Sequence, residues 1–344
     1  MTNQIQTRDY WPTQEWKTMS PDVMGFKLSR LNRLDEVLNL LYSSIKGIVV
    51  VRHGYIVYER YKHGSSLEDT HHVASVTKSF ISALIGIAID KGYIQDVDQK
   101  VMNFFPEYSP GSDDIQKRVI TIRHLLMMTA PLAWQMSSNL SEPLDRLRRQ
   151  RNWIMFILNI LGQGGELGQF RYNSLTAHLL SAILSRTTGM SAREFANEYL
   201  FKPLGMRQIQ DHDINSYSKQ HVFGKNINGW IKDPQGITVG GWGLCLTPRD
   251  MARFGLLYLS QGLWDKQQVV SSSWVIESTT QNENNYGYLW WLSDSIFAAS
   301  GYGGNHIFCV PEKDICVAIA SKLSPRPWDR WQLLERYILS ASSD

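Results

Sequence analysis

The chain has 344 residues, of which 43% are hydrophobic, and it contains 12 tryptophans. This composition supplies a large folded core and excludes a disordered protein. The formal net charge is +3, with acidic and basic residues interspersed, so neither a nucleic acid nor a membrane surface is expected as an obligatory partner. No stretch approaches the roughly 20 apolar residues that span a bilayer, and residues 1–25 contain no continuous apolar run. We therefore expect a cytoplasmic protein without a signal peptide or an anchor.

The first part of the chain predicts an arm, a helix and a β-hairpin. Residues 1–25 are predicted to form an extended arm, and apolar residues at helical spacing over residues 26–41 predict a helix. Two strand-like runs follow at residues 47–52 and 55–61, and the His-Gly dipeptide between them is typical of a turn.

The middle of the chain is dominated by helical patterns. Helices are predicted for six segments, namely residues 75–90, 120–128, 153–161, 174–186, 191–199 and 247–259. A proline follows Thr247, which is a favoured arrangement at a helix start.

The last third returns to strands. They are predicted at residues 286–292, 296–300, 306–310 and 315–321, and a final helix is predicted over residues 328–340. A four-residue hairpin loop over residues 311–314 would place Val310 opposite Ile315 and Cys309 opposite Cys316. Cys245 is the third cysteine, and an odd count favours reduced thiols. We therefore interpret Cys309 and Cys316 as buried thiols, with a strained disulfide as the alternative.

Strands at both ends of the chain bracket the helices in the middle. This order predicts an α/β (α+β) fold in which one antiparallel sheet is built from both termini, is flanked by helices, and carries an inserted, mainly helical lobe. The predicted limits are residues 26–64 plus 286–344 for the sheet domain, 65–285 for the helical domain and 1–25 for the arm. A functional site is expected between the two lobes.

One pair of residues has the spacing of a nucleophile and its base. Ser75 begins a segment that is apolar on nearly every side, and Lys78 follows one helical turn later, so the two side chains share one face. Burial and the positive end of the helix dipole favour a neutral lysine, which can take the serine proton. Free N–H groups at the helix start can hold an oxyanion. The alternative is a plain helix cap at Ser75, with Lys78 extending to solvent.

The same Ser-x-x-Lys spacing occurs twice more, at Ser43/Lys46 and at Ser216/Lys219. The first lies where a helical pattern gives way to a strand, and the second lies in a polar run with no apolar helix behind it. Only Ser75 begins a buried helix, which favours it as the nucleophile. The histidine pair just before Ser75 is interpreted as a loop pair with satisfied hydrogen bonds.

Two glycine-rich segments carry further candidate groups. Residues 165–174 lead through Tyr172 to a helix, and a tyrosine there can shuttle protons if a nearby cation holds it anionic. An ordinary half-buried tyrosine is the alternative. Residues 298–305 close one strand and begin the next, and their glycines and N–H groups can admit a ligand and complete an oxyanion hole. The alternative for this segment is a plain hairpin turn.

In this order, the three elements resemble those of the penicillin-recognising serine hydrolases, which comprise class C β-lactamases, penicillin-binding DD-peptidases and their esterase and amidase relatives. The connecting segments at residues 125–129, 200–206, 240–244, 247–255 and 311–313 are similar to the same family. The resemblance extends from about residue 48 to the C-terminus. Trp274, the Trp290-Trp291 pair and the Tyr-Gly-Gly run at 302–304 are most similar to the branch of the 6-aminohexanoate-oligomer hydrolases.

The resemblance implies that Ser75 is the nucleophile, Lys78 its activating base and Tyr172 the proton shuttle. It places the oxyanion-hole N–H groups on Ser75 and Tyr302. The family's Tyr-x-Asn motif has Ser174 at its third position here. That departure also occurs in the esterase and amidase branches and argues against β-lactam specificity.

The family's Lys-Thr-Gly motif falls on residues 299–301 or, in an alternative register, on residues 302–304, and neither contains a lysine. The predicted substrate-binding residues are Ser174, Ala299, Ser300, Gly301, Gly303, Trp134 and Trp290. Trp242 and Trp291 are additional candidates for an apolar cleft, with core packing as the alternative for every tryptophan. No deacylating base is identified, and Glu166 is interpreted as a surface-loop residue.

The predicted function is a serine hydrolase without cofactor or metal, which cleaves an ester or amide bond of a small molecule through an acyl-enzyme on Ser75. No Gly-x-Ser-x-Gly elbow, phosphate-binding loop or His-Glu-x-x-His metal motif is present in the sequence. The alternatives are a β-lactamase or DD-carboxypeptidase and a catalytically silent binding relative. Joint retention of Ser75, Lys78 and Tyr172 argues against silence, and the oligomeric state is left open.

Overall fold

The computed structural model describes residues 8–108, 111, 114–133, 144–224 and 227–343. The strands in this part of the chain are β1 (Ile45–Arg52), β2 (Tyr55–Tyr61), β3 (His71–His72), β4 (Asp211–His212), β5 (Trp230–Ile231), β6 (Cys245–Leu246), β7 (Leu263–Trp264), β8 (Gln267–Gln268), β9 (Trp291–Ser293), β10 (Ile296–Gly301), β11 (Asn305–Val310) and β12 (Ile315–Ser321).

The α-helices are α1 (Leu28–Leu31), α2 (Arg33–Leu40), α3 (Thr77–Asp90), α4 (Ile115–Val119), α5 (Ile122–Leu126), α6 (Leu144–Arg148), α7 (Trp153–Ile160), α8 (Leu175–Thr188), α9 (Ala192–Ala196), α10 (Lys202–Leu204), α11 (Lys219–Val222), α12 (Pro248–Leu259), α13 (Ser272–Thr279) and α14 (Arg330–Leu333). Short 3₁₀ turns cover Ala74–Val76, Val101–Phe104, Pro311–Lys313 and Leu339–Ala341. Two single-turn π-helices cover Asn197–Phe201 and Leu334–Ile338.

A six-stranded sheet lies at the centre of the fold. Its strand order is β2-β1-β12-β11-β10-β9, and every neighbouring pair is antiparallel. Two strands come from the beginning of the chain and four from its last third, so the predicted sheet built from both termini, with helices around it, is confirmed. The predicted domain limits stay a prediction.

Both faces of the sheet are covered, which explains why β1 is almost continuously apolar. Val49 and Val51 pack into a large core cluster with α3, α8 and α12. Ile48 and Val50 point the other way, into a smaller cluster with α1, α2 and the C-terminal helical turns. The period-2 alternation of a strand thus divides one apolar run between two cores.

Helix α3 lies inside the larger cluster and carries the candidate lysine. Its residues are buried from Thr77 through Ala88, and apart from Lys78 they are apolar or small on all sides. Gly86 admits the ring of Trp274, whose nearest atom would lie 2.5 Å from a Cβ at this position. The helix is therefore a rigid support for the groups at its N-terminal end.

The last hairpin has the predicted register, with Cys309 opposite Cys316 and Val310 opposite Ile315. All three cysteines are buried free thiols. Burial raises the pKa of Cys245 to about 12 and that of Cys309 well above its ordinary value. Cys245 and Cys309 therefore keep their protons at neutral pH and serve as small apolar residues.

Several predicted elements differ from the structure; among them, the helix predicted over residues 191–199 is α9 followed by a π-turn. Residues 286–290 are not a strand, because Leu289 adopts a φ of +61° and its N–H turns back onto the Gly287 carbonyl. The predicted helix over residues 26–41 is divided into α1 and α2. In place of the predicted final helix, the structure has α14 followed by a π-turn and a 3₁₀ turn, so the spacing of the backbone hydrogen bonds changes along the segment.

The described part of the arm packs along the sheet domain. Arg8 makes two hydrogen bonds with the Asp314 carboxylate, at 2.7 and 2.9 Å, and the Met19 N–H donates to the Ile56 carbonyl at 3.0 Å. Trp16 is buried in the larger cluster. Among the described residues, no helix combines the length and the apolar character needed to cross a membrane.

Candidate active site

Ser75 lies in the 3₁₀ turn directly before α3, where it is half-buried. The preceding residue, Ala74, has a φ of +51°, a conformation that is strained for a residue with a side chain. The Ala74 N–H donates to Nδ1 of His72 at 3.1 Å, and its carbonyl accepts from the Thr77 hydroxyl at 2.7 Å. The turn that presents Ser75 is thus held on both sides.

Lys78 points from α3 towards Ser75 and is 1% exposed. Its Nζ lies 2.9 Å from Ser75 Oγ, 2.9 Å from Ser174 Oγ and 2.8 Å from the carbonyl oxygen of Gly241. Each of these three partners is uncharged. The lysine does not extend to solvent, and its Nζ lies within hydrogen-bonding distance of the Ser75 hydroxyl.

Tyr172 comes to the same place from the loop before α8. Its ring centroid lies 5.0 Å from Lys78 Nζ, and the ring packs against Trp291 at 5.2 Å. The next residue, Asn173, faces away because its side chain accepts from the Thr176 N–H and donates to the Arg171 carbonyl. Ser174 therefore supplies the polar group that reaches Lys78.

The end of β10 forms the opposite edge of the site. A Cβ at Gly301 would lie 3.1 Å from Ser75 N and would overlap the carbonyl oxygen of Val73, so only glycine lets β10 lie directly against the Ser75 turn. Tyr302 follows and is half-exposed at the site. This arrangement brings the two predicted oxyanion donors, Ser75 and Tyr302, to neighbouring segments of backbone.

The remaining predicted binding residues are distributed differently. Ser300 and Gly301 line the cavity beside Ser75, as does Ser174. Ala299 is buried in the larger core cluster, and Trp290 is buried between Phe254 and Tyr258. Neither reaches the cavity. Gly303 packs instead against the backbone of residues 322–324, and Trp134 lies outside the described residues.

A cavity of about 1560 Å³ opens in front of Ser75, between the sheet and the helical region. Its walls are largely aromatic and aliphatic, and the side chains that line it include Phe223, Trp242, Trp291, Leu292, Leu323 and Trp331. Trp242 and Trp291 thus lie where an apolar cleft was predicted. Glu166 is exposed and does not line the cavity.

The cavity wall beside Gly301 is polar but uncharged. Ser300 Oγ lies 3.0 Å from Nδ1 of His306, and the His306 ring stacks on Phe308. Burial, reinforced by Arg330, lowers the pKa of His306 to about 3. The charged side chains among the described lining residues are the exposed Lys219 and Glu335.

Three groups at the site were not predicted from the sequence. The Gly241 carbonyl lies in the segment over residues 240–244, here called the glycine loop, which is one of the segments that resemble the family. Nothing in the sequence indicates which carbonyl of this loop faces Lys78. His306 could have been found from the hairpin register, since it lies directly opposite Ser300. Nothing in the sequence indicates that Trp331 lines the cavity, because its position there depends on how α14 packs on the sheet.

Comparison with known proteins shows which family the chain resembles. Two curated relatives are similar to the chain: a 6-aminohexanoate-dimer hydrolase from Paenarthrobacter ureafaciens, 26% identical over 85% of this chain and 76% of the relative, and the esterase EstB from Burkholderia gladioli, 26% identical over 46% of this chain and 45% of the relative. A solved structure from Bacillus anthracis, provisionally named as a 6-aminohexanoate-dimer hydrolase, covers 98% of this chain and 90% of its own, with a TM-score of 0.75 at 22% identity. The Beta-lactamase family model matches residues 44–341. The chain therefore belongs to the β-lactamase family.

Proposed function

We propose that the protein is a serine hydrolase that cleaves an ester or amide bond of a small molecule through an acyl-enzyme on Ser75. The observation that carries the proposal is the 2.9 Å contact between Lys78 Nζ and Ser75 Oγ, in a setting where Lys78 has only uncharged partners. The family membership and the esterase and amide-hydrolase relatives support the same reaction class.

In the first step, Ser75 Oγ attacks the substrate carbonyl carbon, and Lys78 accepts the hydroxyl proton. The carbonyl oxygen becomes an oxyanion, for which we assign the backbone N–H groups of Ser75 and Tyr302. Tyr172, whose ring lies beside Lys78 Nζ, passes the proton to the leaving alcohol or amine.

In the second step, water attacks the acyl carbon, and the Ser75 oxygen leaves. The water proton returns through the Tyr172 and Lys78 pair to Ser75, which restores the enzyme and releases the carboxylic acid. No separate deacylating base is assigned, since Glu166 lies outside the cavity.

The walls of the cavity support a substrate without a charge next to its reacting carbonyl. The Ser300–His306 pair adjoins Ser75 through Gly301 and is uncharged at neutral pH. It can exchange hydrogen bonds with an amide or an ester but offers no cation to a carboxylate. The aromatic walls formed by Trp242 and Trp291 suit an apolar chain.

Active-site labelling tests the proposal. The protein is incubated separately with a fluorophosphonate and with labelled penicillin, and each adduct is located by mass spectrometry. We expect the fluorophosphonate adduct on Ser75 and none after Ser75→Ala. Ser216→Ala is the matched control, because Ser216 belongs to the other Ser-x-x-Lys pair whose lysine lies at the cavity. An adduct on Ser216, or turnover that survives Ser75→Ala, would refute the assignment.

A further inference from the structure

A buried histidine–aspartate pair lies behind the loop that holds Lys78. His178 belongs to α8, and its Nε2 lies 3.1 Å from Oδ2 of Asp233. The two side chains are 2% and 0% exposed. A carboxylate that is fully removed from solvent persists only where its oxygens accept hydrogen bonds, and the partners of Asp233 indicate what the pair supports.

Asp233 fixes the turn that leads to the glycine loop. Its Oδ1 accepts the N–H groups of Gln235 at 2.8 Å and Ile237 at 2.9 Å. Its Oδ2 faces His178, and because a carboxylate only accepts, Nε2 of His178 carries the proton. In a neutral ring Nδ1 is then an acceptor, and it receives the Gly240 N–H at 3.4 Å.

The glycine loop lies directly on the beginning of α8. A Cβ at Gly241 would lie 2.6 Å from Ser174 Cβ, and one at Gly240 would overlap the Ala177 carbonyl oxygen. In this position the Gly241 carbonyl receives a hydrogen bond from Lys78 Nζ. A continuous series of contacts therefore connects Asp233 to Lys78 through His178 and the loop.

In the proposed reaction Lys78 acts as a neutral amine, and its contacts determine where the lone pair of that amine points. A neutral amine has two N–H groups and one lone pair. If the Gly241 carbonyl and Ser174 Oγ accept the two N–H groups, the lone pair is directed at Ser75 Oγ. An error in the position of the Gly241 carbonyl would misdirect the lone pair without moving Ser75.

We propose that His178 and Asp233 are positioning residues, which hold the Gly240–Gly241 backbone so that Lys78 is aligned for proton transfer from Ser75. This inference rests on the proposed function. It concerns alignment in the chemical step, so losing the pair is expected to lower kcat about 10- to 100-fold, as small misplacements at an active site do, and to leave KM within about twofold.

Two replacements at His178 separate alignment from stability. Asn at 178 places its side-chain oxygen near the Nδ1 position, so His178→Asn keeps the acceptor for Gly240 and loses the donor to Asp233. Gln places its amide near Nε2, so His178→Gln keeps the donor and loses the acceptor. Leaving a buried carboxylate without its partner is the greater cost for folding. We therefore expect His178→Asn to have the lower Tm and His178→Gln to have the lower kcat on p-nitrophenyl butyrate, at a temperature where both are folded by circular dichroism.

If the pair aligns Lys78, the His178 variant with the lower Tm must be the one with the higher kcat. A purely structural pair would give equal kcat values, or the lower kcat to the less stable variant, and either result overturns the inference. Asp233→Asn decides the question if one His178 variant does not fold. Its side-chain amide would donate to Nε2 of His178, so the proton of the neutral ring would have to lie on Nδ1. Nδ1 could then no longer accept the Gly240 N–H, and kcat should again fall.

Asp314→Asn is the matched control for Asp233→Asn. Asp314 is also buried, also lies 3.1 Å from a histidine, His53, and is remote from the cavity lining. It should lose stability and keep its kcat. Wild-type enzyme is labelled with fluorophosphonate in parallel, since failure to label Ser75 would refute the proposed function itself. Normal wild-type labelling with an unchanged kcat in Asp233→Asn would refute only the positioning role.

Discussion

The side-chain nitrogen Nζ of Lys78 lies 2.8 Å from the carbonyl oxygen of Gly241, a residue 163 positions later in the chain. This contact joins the N-terminal end of α3 to the loop before β6. It means that the candidate base is held by backbone from a remote segment as well as by Ser75, just before α3, and Ser174, just before α8. The fold is therefore required to be complete before the Ser75–Lys78 pair is aligned.

Replacing Gly241 with alanine should remove activity while the protein stays folded. The added Cβ would lie 2.6 Å from Ser174 Cβ and 2.8 Å from the Ser174 carbonyl oxygen, so the loop must move away from Lys78. We expect kcat to fall about 100-fold, measured on p-nitrophenyl butyrate. Gly189→Ala, at the C-terminal end of α8, is the control, because its Cβ would meet nothing within 4 Å. Its φ of +72° makes alanine unfavourable there by about 1 kcal/mol, so Tm should fall while kcat holds. Full activity in Gly241→Ala would contradict the importance of this carbonyl.

Lys78 and Tyr172 should act as one unit. Lys78→Met and Tyr172→Phe are each expected to lower kcat about 100-fold or more, the scale of general acid–base catalysis. The double variant should be little worse than the poorer single variant, since groups that move the same proton are not additive. Steady-state kinetics on all four proteins tests this. Losses that multiply would show that the two residues work independently.

Small esters and linear amides should be better substrates than penicillins. Penicillins carry a carboxylate beside the reacting carbonyl, and the wall formed by Ser300 and His306 offers it no cation. A missing charge-assisted contact is worth about 1.5–3 kcal/mol, or roughly 10- to 100-fold in recognition. The measurement is kcat/KM for p-nitrophenyl butyrate, a linear aminohexanoate dimer and nitrocefin. A wide preference for nitrocefin would instead identify a β-lactamase.

Stability should fall as the pH drops from about 6.5 towards 4. Burial lowers the pKa of His72 to about 4 and that of His306 to about 3, whereas an unfolded histidine has a pKa of about 6.5. Below that value the unfolded chain binds protons that the folded chain does not, so acid favours unfolding, by up to about 1.4 kcal/mol per pH unit for each histidine. The effect should be smaller for His306, whose ring is partly exposed to the cavity.

Urea unfolding at pH 7.5 and pH 5.0 measures this dependence. His72→Gln should make the difference in unfolding free energy between the two pH values smaller, with the exposed His221→Gln as the reference. An unchanged difference in His72→Gln would show that His72 takes up its proton in the folded protein.

Thermal unfolding should be insensitive to reductant. Cys309 and Cys316 face each other across β11 and β12 as free thiols, and the Cys309 thiol contacts the Gly255 carbonyl. Melting curves with and without dithiothreitol should coincide. A marked fall in Tm on reduction would point to a disulfide between them.

Periodicity and spacing predicted the sheet and the central motif because both depend on local pattern. The short apolar runs of β1 and β12 and the apolar helix behind Ser75 are visible in short windows of sequence. Side-chain direction at the ends of elements was harder to predict. Trp290 and Trp291 are adjacent, yet one is enclosed by Phe254 and Tyr258 and the other lines the cavity. Adjacent residues of an extended segment point to opposite sides, but nothing local to this pair indicates which of the two rings faces the core.

The residues proposed to position the candidate base Lys78 could not be predicted for a related reason. His178 lies on α8 and Asp233 in a turn 55 residues later, and each looks ordinary in its own segment. Only the packing of the glycine loop on α8 brings them together. The same is true of the Ser300–His306 pair, although a hairpin of known register makes that pair easier to find.

The position of β1 beside β12 has a consequence for how the chain acquires its shape. Val50 pairs with Val317, so one interior pairing of the sheet joins segments from opposite ends of the sequence. Closing so long a loop is slow, and the rate of folding falls as such distant pairings dominate. During synthesis the hairpin of β1 and β2 must wait with an unpaired edge until β12 has left the ribosome. Until then that apolar edge is open to other chains, and nascent protein should depend on chaperones more than its modest charge or its finished surface would indicate.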